Sequence, residues 1–155
     1  MKPHVLRLLD LQVPLPPEIS GKRANCFNAV QLFWADSDEP EFVGPAEFVA
    51  YLESKFRQIS IDGPIETDEV CVVWSRSADF LKIGSIKTDA VGRRDEGYPF
   101  GLVIEHAFVH LPADTAFQKR DPSESGAYEI VSVREALAPY LNLPGFEITR
   151  HRRLN

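Results

Sequence analysis

Two cysteines, Cys26 and Cys71, are all that this chain holds, so a disulfide framework is not what keeps it folded and a reducing compartment fits. Long apolar runs are missing too, and no window is long enough to span a bilayer. The short apolar stretches of residues 1–17 are interrupted by Asp10 and followed by Pro14, Pro16 and Pro17, without the apolar core and small-residue cleavage site of a secretory leader. The expected location is the cytoplasm, although export by a dedicated machine would leave no mark in such a sequence. Basic residues are in deficit, 17 Lys and Arg against 23 Asp and Glu, and the net charge of −6 argues against a general nucleic-acid binder. The one dense basic cluster, Arg150, His151, Arg152 and Arg153, stands at the end of the chain and is expected to be a solvated tail. Internal repeats and low-complexity tracts are absent. So are a Gly-rich phosphate loop, a Gly-x-Ser-x-Gly elbow, Cys-x-x-Cys and His-Glu-x-x-His, and neither a cofactor nor a metal is expected.

What is present suits a single α+β domain over residues 1–155, large enough to bury a core. Residues 1–13 read as a strand or a short helix, and residues 11–23, rich in proline, as an extended connection. From Cys26 to Ala35 the chain is apolar nearly all round, with only Asn28 and Gln31 forming a narrow polar stripe. That pattern predicts a buried central helix capped by Asn25. Pro45 opens a second helix with Phe48, Val49, Leu52 and Phe56 inward and Glu53–Arg57 as an i,i+4 pair. Strands follow at Val70–Trp74, Leu102–Leu111, Thr115–Arg120 and Tyr128–Val133, the middle two forming a hairpin across residues 112–114. Ser132 and Glu135 form a capping box before a short helix that stops by Pro139, and a last strand spans Phe146–Arg150. Helices first and mostly antiparallel strands afterwards make an α+β order.

Cys26 falls in the first turn of the buried helix. Unpaired N–H groups and the positive dipole end there stabilise a thiolate, and the same groups can receive an oxyanion. Against this stands the fact that free cysteine is among the most buried residue types. His106 sits within an apolar strand, where an imidazole needs a reason, and a thiol with a histidine on a later strand is an arrangement for nucleophilic attack. With a three-residue turn, Thr115 pairs with Leu111, which puts Gln118 on the face of His106 and able to orient it. Cys26 is thus expected to be largely thiolate at neutral pH, and Cys71, in an apolar strand, to be inert. His106 and His110 share a strand face, but no companion motif points to zinc. His4 and His151 are expected in solvent, and Trp34 and Trp74 in the core. The charged segment between Ser75 and Gly101, with Arg93, Arg94, Tyr98 and Phe100, is expected to border a groove above Cys26, Tyr98 forming one wall.

Asn25-Cys26-Phe27-Asn28 at a helix start, His106-Ala107 in a strand and Phe117-Gln118-Lys119 after it together resemble the NlpC-type branch of the papain-like peptidases and amidases. The resemblance covers about Ala24 to Tyr140 in element order. In place of the usual Asp-Cys-Ser-Gly stands Asn25-Cys26-Phe27-Asn28, and an upstream aromatic-glycine motif is missing. It implies a papain-like fold around a small antiparallel sheet, with Cys26 as nucleophile, His106 as base and Gln118 as orienting group. Asn25 and Tyr98 are then the expected substrate contacts. The implied activity is a cysteine peptidase or amidase acting through a thioester acyl-enzyme on a peptide or peptidoglycan-related amide. Partners other than that substrate, nucleic acid and membrane included, are not expected. Two rivals share the same residues: a binding domain that keeps the shape without the chemistry, and an acyltransferase that passes the acyl group to an acceptor other than water.

Overall fold

Proline sets where three of the described helices begin. In the computed structural model, which describes residues 1–76, 102–123 and 125–155, it opens α1 (Pro3–Leu9), α2 (Pro17–Ser20) and α4 (Pro45–Lys55), positions where its missing N–H costs nothing. Between them α3 (Cys26–Trp34) starts on a side-chain cap from Asn25 and ends on Ala35 in the left-handed conformation, φ 58°. Residues 1–13, open between strand and helix from sequence, are mostly helical. The proline-rich connection contains the single turn of α2. The last of the described helices, α5 (Val133–Leu137), carries the expected capping box: the Ser132 hydroxyl accepts from the Glu135 N–H while the Glu135 carboxylate accepts from the Ser132 N–H.

Six strands form one open antiparallel sheet: β1 (Phe56–Ile59), β2 (Val70–Arg76), β3 (Leu102–Leu111), β4 (Thr115–Lys119), β5 (Tyr128–Ser132) and β6 (Glu147–Arg153), in the order β1-β6-β2-β3-β4-β5. The architecture is α+β. On one face α1, α3 and α4 bury the larger core, where Phe27 of α3 stacks on Phe48 of α4 at 4.6 Å. On the other face α5 and the segment around Tyr140 and Phe146 cover Cys71, Val73, Phe108 and Ala116. In β3 a bulge interrupts the pairing with β2: Val73 pairs with His106 and Trp74 with Ile104, leaving Glu105 as the extra residue. Ile104 and Ala107 therefore both join the α3-side core, while His106 and Phe108 turn toward α5. Among the described residues no helix is long and apolar enough to cross a membrane.

Some expectations need correction. Phe56 does not close the α4 stripe but starts β1. Arg57 therefore lies beyond the helix and shares no helical turn with Glu53. The C-terminal basic cluster is not a solvated tail. It is the second half of β6, an interior strand between β1 and β2, and it runs to Arg153 instead of stopping at Arg150.

Arginine tolerates this position because its guanidinium is fully engaged. Arg150 is 2% exposed; its Nε donates to Glu69 Oε2 at 2.9 Å and its Nη2 to the Pro64 carbonyl at 2.7 Å. Its Nη1 lies among the carbonyls of Ser60, Ile61, Asp62 and Gly63 at 3.2–3.4 Å. One guanidinium thus supplies the donors for a whole turn of backbone. Arg152 reaches the other oxygen of Glu69 at 2.8 Å, and Arg153 pairs with Asp36 while lying over the Trp34 and Phe56 rings. Neither His4 nor His151 is free in solvent: His4 meets the Phe33 carbonyl at 3.2 Å, and His151 is buried.

Arg150→Ala takes the buried partner from one Glu69 oxygen, leaving that carboxylate with Arg152 alone, and removes the donors to the 60–64 carbonyls. Urea unfolding should show a loss of about 3–5 kcal/mol, the usual result of removing one partner of a buried pair. Arg152→Ala, at a position open to water, should cost far less. Equal midpoints for the two variants would mean that the Arg150 cage contributes little.

Candidate active site

Asn25 organises the start of α3. Its Oδ1 accepts the N–H of Asn28 at 3.1 Å and of Val43 at 3.4 Å, and its Nδ2 donates to the Val43 carbonyl at 2.8 Å. Asn28 repeats the device one turn later, accepting from the Glu41 N–H at 3.1 Å and reaching the Glu39 carbonyl at 3.4 Å. Asn25 and Asn28 together are therefore a clamp for the chain between α3 and α4. Asn25, expected at a substrate contact, directs its amide oxygen and one amide N–H to that clamp. Its buried side chain acts on the site by fixing the helix end.

Cys26 is the first residue of α3 and keeps some exposure. The backbone N–H groups of Ala107, Cys26 itself and Phe27, and more weakly the positive charge of Lys119, favour a negative sulfur there. Ala107 lies beyond the last pair of the β3–β4 ladder, Val109 with Phe117, so the sulfur stands where the hairpin has opened. Burial nevertheless outweighs these donors and pushes the thiol up to about 11. The expectation of a standing thiolate is thus reversed: desolvation is the larger influence, and at neutral pH Cys26 is a thiol. Cys71, on the other face, is pushed to about 12, by burial first and then by Glu69.

His106 is 1% exposed, on the face that looks toward α5. Its ring lies flat against Tyr140, centroids 5.1 Å apart at 16°, and its Nε2 is 2.6 Å from Gln118 Oε1. The orientation of Gln118 is dictated from behind. Its Nε2 donates to Glu129 Oε1 at 2.9 Å, and Glu129, a carboxylate, can only accept. Glu129 is gripped in turn by Arg120 through Nε at 3.0 Å and Nη2 at 2.9 Å. With its oxygen toward the imidazole, Gln118 requires a proton on Nε2, and Nδ1 is left as the acceptor. Burial holds the ring down to about 4, against the smaller opposing effects of Gln118 and Glu129, so it is neutral at pH 7. A cleft of about 200 Å³ bordered by His106, Gln118, Glu129 and Tyr140 opens beside it.

The structure thus brings His106 and Gln118 into direct contact and sets Cys26 against the peptide N–H that follows His106. Among the described residues no hydrogen bond joins the sulfur to the imidazole. Tyr98, with Arg93, Arg94 and Phe100, lies outside the described residues. His110, which shares the His106 face, is occupied by the Glu66 carbonyl at 3.1 Å and by Asp114. Among the described residues no group of three or more His, Cys, Asp or Glu side chains is placed to hold a metal. Sequence reasoning passed over Glu129, Arg120 and Tyr140. The Gln118–Glu129 pairing is a β4–β5 register, and the connection at residues 120–127 is too long for its length to reveal that register. Comparison with known proteins finds no matching family model, no similar curated sequence and no similar solved structure.

Nitrogen NMR of labelled histidine should find His106 neutral, with the proton on Nε2, from pH 7 down to about 4. Gln118→Leu should remove that tautomer preference. Because the folded value lies below the ordinary 6.5, the unfolded chain takes up this proton first as the pH falls. Stability is full above pH 6.5 and declines toward pH 4, by an amount on the order of 3 kcal/mol from this group. A cationic His106 at pH 7 would contradict both the tautomer and the slope.

Proposed function

We propose that the protein is a papain-like cysteine hydrolase of the peptidase or amidase type, with Cys26 as nucleophile, His106 as general base and acid, and Gln118 as the group that orients His106. The observation that carries this reading is the position of Cys26 at the start of α3, where the Cys26, Phe27 and Ala107 N–H groups favour a negative sulfur, with Ala107 directly following an imidazole that Gln118 holds through Nε2. The same donors suit an oxyanion that develops at a carbonyl under attack.

In the reaction, substrate binding draws Sγ and Nδ1 together, as catalytic contacts often tighten only in the substrate complex. The thiol proton passes to Nδ1 as sulfur bonds to the acyl carbon, and the carbonyl oxygen becomes an oxyanion held by the backbone donors. The C–N bond then breaks, the amine leaves with the proton from His106, and a thioester remains on Cys26. Water attacks that thioester while His106 takes its proton; the acid is released and the proton returns to sulfur. The neutral resting pair makes this general-base catalysis at the moment of attack, with no standing ion pair. The substrate is an amide of a peptide or peptidoglycan-related chain; an acceptor other than water would turn the same intermediate into acyl transfer. Residues 1–155 act as one catalytic domain, working in the cytoplasm.

A second reading has its own support. A protonated thiol, a neutral imidazole and no bond between them also suit a binding domain that retains the shape.

An activated peptidyl thioester separates the two. Mass spectrometry of the folded protein should find acylation at Cys26 and not at Cys71, followed by turnover. His106→Ala should slow acylation by about 10²–10⁴-fold, the usual worth of a positioned base. Acylation that is absent, or unchanged in His106→Ala, would favour the binding domain.

A further inference from the structure

At the opposite end of α3 from Cys26, where β1 runs against the end of β6, lies a cavity of about 330 Å³. That volume is within the range of small-molecule sites, about 300–1,000 Å³. Trp34, Arg57 and Arg152 line it, together with the stretch from Glu66 to Glu69 that leads into β2. Two donors of these residues are buried and meet no acceptor among the described residues: Trp34 Nε1–H and Arg152 Nε–H. A buried donor left unmet is costly, and such groups call for a partner. Neither residue is sealed off, since Trp34 is half-buried and the Arg152 side chain 36% exposed.

The rest of both side chains is already engaged. Lys2 and Arg153 lie over the Trp34 ring, 4.2 Å and 5.0 Å from its centroid. Arg152 Nη2 holds Glu66 at 2.9 Å and Glu69 at 2.8 Å. What each residue lacks is an acceptor for one N–H.

Charge says which kind of acceptor fits. The register of β1 on β6 sets Arg57 directly opposite Arg152, and like charges so placed repel each other. The carboxylates around them are matched by cations: Glu69 by the buried Arg150, Glu66 by Arg152 and Asp36 by Arg153. Asp68, also in the lining, is the strongest charge acting on Lys2. Arg57 is left over, exposed and without an ion pair or side-chain hydrogen bond among the described residues. One surplus positive charge suits a single carboxylate, whose oxygens only accept. A phosphate dianion would restore an excess of negative charge beside Glu66 and Asp68.

We propose that this cavity binds a small organic monocarboxylate, its charge set against Arg57 and its oxygens accepting from Arg152 Nε–H and Trp34 Nε1–H. The site is separate from Cys26 and His106 and does not rest on the hydrolase reading.

N-acetylglycine and N-acetylglycinamide, which exchange a carboxylate for a neutral amide, test it. Each is titrated into the full chain at neutral pH and constant ionic strength, with inorganic phosphate as a third probe, while the indole and arginine Nε–H resonances are followed by NMR. N-acetylglycine should shift the Trp34 and Arg152 signals saturably and leave the Trp74 indole in place. The amide and phosphate should bind at least fivefold more weakly. Arg57→Gln, at an exposed position without side-chain partners, should weaken N-acetylglycine about fivefold, the worth of one hydrogen bond. No saturable shift at Trp34 and Arg152 in the wild-type chain would overturn the site. So would equal or tighter binding of the amide or of phosphate, or an affinity unchanged in Arg57→Gln.

Discussion

One extra residue in β3 decides what its longest run of side chains can do. Strand side chains alternate faces, so a one-residue slip exchanges the two faces from that point on. The bulge at Glu105 lets Leu102 and Ile104 join the α3-side core together with Ala107, Val109 and Leu111. Without it, one half of this apolar strand would face the wrong layer. The same offset turns His106 toward α5, where Gln118 and Tyr140 hold it. The backbone N–H that follows lies by the start of α3, where it favours a negative Cys26 sulfur. Helix packing and the chemistry of the candidate site depend on the same irregularity.

Desolvation sets the resting charges of that site. A helix start and three backbone donors favour a thiolate, yet enclosing the sulfur costs more than they return, and the thiol goes up to about 11. The imidazole shifts the other way for the same reason, since burial always penalises the charged form. Two groups that would share a proton as an ion pair in a wetter site are both neutral here. The carboxylate that influences His106 acts at one remove, through Gln118, and so it selects a tautomer without charging the ring.

Two arginine–carboxylate pairs show how the same chemistry takes different tasks in different surroundings. Arg120 and Glu129 meet at the rim of the sheet, where Arg120 stays exposed, and their bidentate contact fixes the direction of Glu129 and through it of Gln118. Arg150 and Glu69 are enclosed, and the guanidinium also donates to the backbone carbonyls of residues 60–64. Removing the arginine in the first case would disorient a hydrogen-bond chain; in the second it would leave the buried Glu69 with Arg152 alone.

How much was legible from residues alone follows from the range of the interactions. The α3 cap at Asn25, the proline starts of α4, the Ser132–Glu135 capping box and the Leu111–Thr115 hairpin register are set by neighbours a few positions apart. So is the placing of Gln118 on the His106 face. The sequence by itself therefore determined an α+β chain, the helix that begins at Cys26 and the hairpin that carries His106 and Gln118. Tertiary structure alone decided that Arg150–Arg153 form an interior strand, because polar alternation looks solvated until a distant Glu69 and the 60–64 carbonyls are brought to it. It decided that Glu129 stands behind Gln118, across a connection too long to transmit register. It also decided that the Cys26 thiol and the His106 imidazole rest uncharged, because desolvation depends on everything packed around a group and is invisible in the order of residues.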